Sequence, residues 1–188
     1  MRAMSLPNLL TFFRMFLAPT LIVAFYLPGR FSHILATIIF IAAALTDFMD
    51  GYLARSLRRE TKFGAFLDPV ADKLVVSVAL ILIVAEIGTF YIAIPAAVIV
   101  CREITISALR EWMSEVGKSA NVTVNYIGKI KTALQMIAVA VLLYYCPKCQ
   151  DSYWYFIIGL VLLYSAASMT IWSMYLYLKM SWHDLTKS

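Results

Sequence analysis

The chain has 188 residues, 62% of them hydrophobic and 14% charged, whereas a soluble domain runs near ~45–50% apolar and ~25% charged. With a mean hydropathy of +0.81 it reads as a polytopic membrane protein, and a soluble enzyme is excluded. The net charge of +5, from 16 Lys+Arg against 11 Asp+Glu, is informative through its placement.

A span needs ~20 mostly apolar residues to cross a ~30 Å hydrocarbon core, which leaves room for about six spans and no separate soluble domain. Residues 1–188 are therefore expected to form one transmembrane domain, an all-α integral membrane protein. The N-terminus lacks the charged start and cleavage site of a signal peptide, so the first apolar segment is expected to stay in the mature protein.

In span one Ser5 caps a helix with Pro7 in its first turn, and the apolar run continues to Leu27 before Pro28-Gly29 stops it. Span two starts near Phe31 and ends at the basic stretch from Arg55 to Lys62; span three runs from about Gly64 to Ala85, closed by Glu86-Ile87-Gly88. Span four begins near Phe90 and carries polar residues from Arg102 onward. The apolar stretch from Thr132 to Tyr145 is only 14 residues long, so span five is expected to start near Val122 and to include Lys129 and Lys131. Span six runs from about Tyr153 to Leu178, and Tyr144, Tyr145, Tyr153, Trp154 and Tyr155 form an aromatic belt around its connection to span five.

Alternate connections differ in charge. One side carries Arg2, Arg55, Arg58, Arg59, Lys62, Lys118, Lys129, Lys131, Lys179 and Lys187; the other has only Arg30 and Lys148. The positive-inside rule makes the basic side cytoplasmic and puts both termini there.

Acidic side chains within spans are costly and mark function. Asp47 and Asp50 end span two, and Asp68 and Asp72 begin span three. At 100° per residue, Asp47, Asp50, Gly51 and Ala54 share an arc of about 100°, and Gly64, Asp68 and Asp72 stack at intervals of four. The short basic connection makes these spans antiparallel neighbours. Asp47 lies ~12 Å along the helix from Arg55, so the acidic faces should meet within the cytoplasmic leaflet.

Four carboxylates this close repel unless a cation compensates them. Lys and Arg are too few near Asp47 and Asp68 to do so, and oxygen-only ligands favour Mg²⁺, Mn²⁺ or Ca²⁺. Two hard ions in a phosphate-sized cleft suit phosphoryl transfer. Small residues at Gly51, Ala54 and Gly64 let a bulky ligand approach the backbone, and the planar fork of Arg55 can pair with a phosphate. A structural helix hairpin and a divalent-cation transporter are the competing readings.

The run Asp47-Phe-Met-Asp50-Gly51-Tyr-Leu-Ala54-Arg55, then Gly64-Ala-Phe-Leu-Asp68-Pro-Val-Ala-Asp72, fills every fixed position of D-x-x-D-G-x-x-A-R-x8-G-x-x-x-D-x-x-x-D. It resembles the signature of the CDP-alcohol phosphatidyltransferase family. The resemblance extends to Pro7-Asn8 through Thr11 and Arg14, to the stretch from Arg102-Glu103 through Ser107 and Arg110 to Trp112, and to Gly128-Lys129-Ile-Lys131-Thr132. There it is similar to the bacterial branch that uses glycerol 3-phosphate.

This resemblance implies a six-helix membrane fold, usually a homodimer in the bacterial inner membrane, working in phospholipid biosynthesis. It moves a phosphatidyl group from CDP-diacylglycerol to an alcohol and releases CMP. On this chain it implies that Asp47, Asp50, Asp68 and Asp72 hold Mg²⁺ or Mn²⁺, as two ions, and that Asp72 is the general base. Gly51, Ala54, Arg55 and Gly64 would line the CDP pocket, which Asn8 and Thr11 close.

A doubly charged acceptor such as glycerol 3-phosphate needs basic residues, and Arg14, Arg102, Arg110, Lys118, Lys129 and Lys131 are the candidates. Glu103, Ser107 and Arg110 share a helical face, so Glu103 is expected to orient Arg110. Headgroup contact is the plainer reading for Lys118 and Arg102. Serine, inositol phosphate or phosphatidylglycerol are the alternative acceptors, and no nucleic-acid partner is expected.

Cys146-Pro-Lys-Cys149 has the spacing of a zinc half-site or redox pair without a second pair. An incidental pair is the expectation, with a periplasmic disulfide as the alternative, and Cys101 is expected to be a buried small hydrophobe. His33 and His183 lie outside the acidic site and are not expected to be ligands.

Overall fold

The structure, a computed structural model, describes residues 6–57, 62–115, 126–149 and 152–185. Among them are α1 (Leu6–Phe25), α2 (Arg30–Leu57), α3 (Lys62–Ile87), α4 (Phe90–Glu115), α5 (Tyr126–Tyr144), a short 3-10 turn (Pro147–Cys149) and α6 (Tyr153–Leu185), and no strand. By length and composition, Arg30–Asp47, Phe90–Met113 and Tyr153–Tyr175 are apolar enough to cross a membrane, while Phe12–Phe25 and Ile130–Tyr144 are shorter apolar stretches. Only helices satisfy every backbone group within lipid, which is why these apolar runs fold as they do.

Helix α1 packs on α2 and α3; α5 packs on α2, α3 and α6; α4 packs on α3 and α6; α2 also touches α3. Hydrophobic burial does not drive helices together in lipid, so close approach rests on small side chains. Ala18, Ala36, Ala43, Ala71, Ala79, Ala138 and Ala166 are buried at these contacts, around Leu21, Phe40, Leu80, Ile99, Leu142 and Leu163. Phe16, Val23, Ile81, Val161 and Trp172 are exposed, as suits a lipid-facing surface.

The tightest approach is at Gly159 of α6, where an added Cβ would lie 2.6 Å from Cγ and Cδ2 of Leu142 on α5. Leu142 is buried and has little room to yield. Gly159→Ala gains about 1 kcal/mol of helix propensity, whereas overpacking costs about 1–3 kcal/mol. The expected result is a lower midpoint of thermal unfolding in detergent, partly restored by adding Leu142→Ala. A wild-type midpoint for Gly159→Leu would show that the two helices do not need this approach.

Four ties gather at one end of the bundle. Arg30 Nη2 donates to the Tyr144 hydroxyl at 3.1 Å, and Lys148 Nζ lies 3.1 Å from Glu86 Oε1. The buried His33 donates through Nδ1 to the carbonyl of Leu143 at 3.1 Å, a structural role consistent with its exclusion as a ligand. The fourth tie is a disulfide between Cys146 and Cys149. Together these place the start of α2 and the ends of α3 and α5 side by side, with the acidic run at the other end of α2.

Several expectations change. Cys146 and Cys149 are bonded rather than incidental, because the 3-10 turn brings their Cα atoms to 5.2 Å, within disulfide range. Cys101 is exposed rather than buried, on a helix whose main packing is against α3 and α6. Helix α1 ends at Phe25, not Leu27: Leu27 precedes Pro28 and is steered away from helical angles, and Gly29 turns the chain with φ 83°. Gly88 closes α3 with φ 64°, its N–H donating to the Val84 carbonyl at 2.9 Å. Helix α6 passes Leu178 and continues to Leu185, since no Gly or Pro follows Gly159 to stop it. The proposed start of span five at Val122 lies outside the described residues.

Candidate active site

Helix register places the acidic motif. Asp47 and Asp50 precede the end of α2 at Leu57 by ten and seven residues, and Asp68 and Asp72 follow the start of α3 at Lys62 by six and ten. At 1.5 Å per residue, Asp47 and Asp72 both lie ~15 Å from the ends where α2 gives way to α3, while Asp50 and Asp68 both lie ~10 Å from them. The motif thus forms two tiers on antiparallel helices. Among the described residues the apolar stretch Arg30–Asp47 is 18 residues long, or ~27 Å, close to the ~30 Å of a hydrocarbon core.

Asp47 is the motif carboxylate whose side chain is described. It accepts a hydrogen bond from Arg14 Nη1 of α1 at 2.9 Å, with Arg14 only 2% exposed and Asp47 39%. A guanidinium buried among apolar helices needs a counter-charge, and Asp47 supplies it. This corrects the expectation that Asp47 has no cation nearby, since Arg14 is 33 positions away in sequence. The pair sits at a small cleft, otherwise walled by Phe40, Ala43 and Ala44 of α2, Val75 and Val76 of α3, and Met136 of α5. The cleft begins one turn beyond Asp72 along α3, on the side away from the α2–α3 connection.

The basic candidates separate. Lys131 of α5 is 4% exposed, a burial that headgroup snorkelling does not explain. Arg102 donates through Nη2 to Ser173 Oγ of α6 at 2.8 Å, so this contact ties α4 to α6 instead of reaching toward the acidic helices. Glu103 accepts a hydrogen bond from Gln135 Nε2 of α5 at 2.9 Å. Gln135 escaped the sequence reading because it sits inside the stretch counted as apolar, although a polar residue at membrane depth is itself a signal.

The side chains of Asn8, Thr11, Asp50, Gly51, Ala54, Arg55, Gly64, Asp68, Asp72, Arg110 and Lys129 lie outside the described residues, as does Lys118 altogether. Helices place the backbones of all except Lys118: Asn8 and Thr11 on α1, Asp50, Gly51, Ala54 and Arg55 on α2, Gly64, Asp68 and Asp72 on α3, Arg110 on α4 and Lys129 on α5.

The fold defines a multi-pass helical membrane protein, in which Arg14 and Asp47 pair at an otherwise apolar cleft between helices. The chain belongs to the CDP-alcohol phosphatidyltransferase family, whose model matches residues 4–176. It is 48% identical over 181 residues to CDP-diacylglycerol–glycerol-3-phosphate 3-phosphatidyltransferase of Pectobacterium atrosepticum, covering 96% of this chain and 97% of the relative. Proteins of the same name from Sodalis glossinidius and Escherichia coli K12 are each 46% identical, over 97% and 96% of this chain and 97% of the relative in both cases. The family generally uses a divalent metal. Of the motif carboxylates the structure describes Asp47, half-exposed at a cleft, an oxygen donor of the kind such an ion takes.

Proposed function

We propose that this chain transfers the phosphatidyl group from CDP-diacylglycerol to sn-glycerol 3-phosphate, giving phosphatidylglycerophosphate and CMP. What carries the reading is the complete aspartate motif, paired tier by tier on α2 and α3, in a chain related over nearly its whole length to enzymes named for this reaction. Depth agrees with chemistry: the nucleotide comes from water while the acyl chains stay in lipid, so the reacting phosphate belongs at headgroup level.

Asp72 accepts the proton of the acceptor hydroxyl. The resulting oxygen attacks the phosphorus that bears the diacylglycerol, the bond to the CMP oxygen breaks, and CMP leaves with the electron pair. Asp47, Asp50, Asp68 and Asp72 would hold Mg²⁺ or Mn²⁺, as two ions, which supply charge neutralisation at the phosphate oxygens. Gly51, Ala54, Arg55 and Gly64, with Asn8 and Thr11, line the nucleotide side. Of the basic set, Lys131 has the strongest support as the acceptor's phosphate ligand, with Arg110, Lys118 and Lys129 around it. Arg14 is committed to Asp47 and Arg102 to Ser173, which favours positioning roles for both.

The whole chain acts as one domain and as a homodimer in the bacterial inner membrane, with both termini and the site facing the cytoplasm. The disulfide at the opposite end supports this orientation, since disulfides persist in oxidising compartments. The test is CMP release by the purified protein with CDP-diacylglycerol and Mg²⁺ across glycerol 3-phosphate, serine, inositol phosphate and phosphatidylglycerol. Release with glycerol 3-phosphate alone is expected. Release with a different acceptor alone would overturn the acceptor, and none with any would favour a cation transporter.

A further inference from the structure

Gln135 is 2% exposed, and its two amide atoms are treated unequally. Nε2 donates to Glu103 Oε1 at 2.9 Å, whereas Oε1 is buried without a hydrogen-bond partner. An ionised carboxylate only accepts, so Glu103 fixes which way the amide faces and turns the carbonyl away from itself. A buried carbonyl left unpaired costs roughly as much as a lost hydrogen bond, so such a group in a native protein calls for an explanation, and a bound ligand is one that supplies the missing donor.

Its surroundings indicate what that partner is. Lys131 lies on the same face of α5, one turn or ~6 Å nearer the start of the helix, and is likewise buried. Met136, the next residue along, lines the cleft that holds Arg14 and Asp47. Helix α4 packs on α3 and α6, and α5 on α2, α3 and α6. The Glu103–Gln135 bond joins α4 to α5.

We propose that Gln135 reads the acceptor alcohol: its Oε1 accepts a hydrogen bond from the non-reacting hydroxyl next to the acceptor's phosphate, and Glu103 is the positioning residue that aims it. The inference rests on the reaction proposed above. In glycerol 3-phosphate the phosphate and the C2 hydroxyl lie a few ångströms apart, a spacing that an ammonium and a carbonyl one helical turn apart can serve together. No other hydroxyl is left once the C1 oxygen reacts, so this contact distinguishes glycerol 3-phosphate from a simple alkanol phosphate.

The experiment compares kcat/KM for glycerol 3-phosphate with that for 3-hydroxypropyl phosphate, which lacks the C2 hydroxyl, in the wild type and in Gln135→Met. The wild type should prefer glycerol 3-phosphate by roughly 10- to 100-fold. Gln135→Met should fall to the level of the analogue on glycerol 3-phosphate while its rate with the analogue stays unchanged. If Gln135→Met does not assemble, Glu103→Gln replaces it, because a second amide lets Gln135 turn and should erase the same preference. Equal losses on both substrates, or a wild type that does not discriminate, would overturn the role of Gln135 and leave the reaction standing. Absence of CMP release by the wild type with glycerol 3-phosphate would overturn both.

Discussion

Asp72→Asn should lower CMP release by at least about 10³-fold, within the range that removing a general base produces, while CDP-diacylglycerol still raises the thermal midpoint of the variant. Asparagine keeps the size and one coordinating oxygen of the carboxylate but cannot take the acceptor's proton at neutral pH. Asp72 shares a tier with Asp47 and lies one turn before Val76, which lines the cleft. Turnover within tenfold of wild type would remove Asp72 from the role of base. Loss of nucleotide binding along with turnover would reassign it to holding the donor.

Chelation of divalent metal should reduce CMP release to background and also lower the unfolding midpoint, with both restored by Mg²⁺ or Mn²⁺. The second readout follows from charge. The motif puts four carboxylates on two consecutive helices, and Arg14 is the basic partner that the structure shows for Asp47. A cation bound at a hundred times its dissociation constant contributes about 2.7 kcal/mol to stability, which its removal takes away. Asp68→Asn should shrink the chelation shift because it removes one of the repelling charges. An unfolding midpoint indifferent to chelator, with activity intact, would exclude the carboxylates as a metal site.

Legibility followed how local the governing physics is. The helices could be read because a bilayer forces each crossing segment to satisfy its own backbone, so hydropathy and Pro-Gly breaks locate it without reference to the rest of the chain. The acidic motif is legible because its residues sit at fixed offsets on two consecutive helices. Helix periodicity also put Glu103 and Ser107 on one face, and Ser107 Oγ indeed donates to the Glu103 carbonyl at 2.7 Å.

What periodicity does not supply is the identity of the facing helix. The Glu103 carboxylate bonds Gln135, 32 residues on, and Arg102 bonds Ser173 of α6, partners that no spacing within α4 names. The Cys146–Cys149 bond depends likewise on the turn that brings the two residues together.

From the sequence alone came the membrane class, the helical fold and the family motif, all consequences of composition and of spacing within one helix or one hairpin. Only the tertiary structure joined Arg14 to Asp47 and Gln135 to Glu103, and so decided which basic and polar groups are committed and which is left with an open valence. These pairs depend on how α1, α4 and α5 dock. In lipid that docking is governed by shape, through small residues such as Gly159 and the buried alanines, rather than by a hydrophobic pattern that a linear reading can detect.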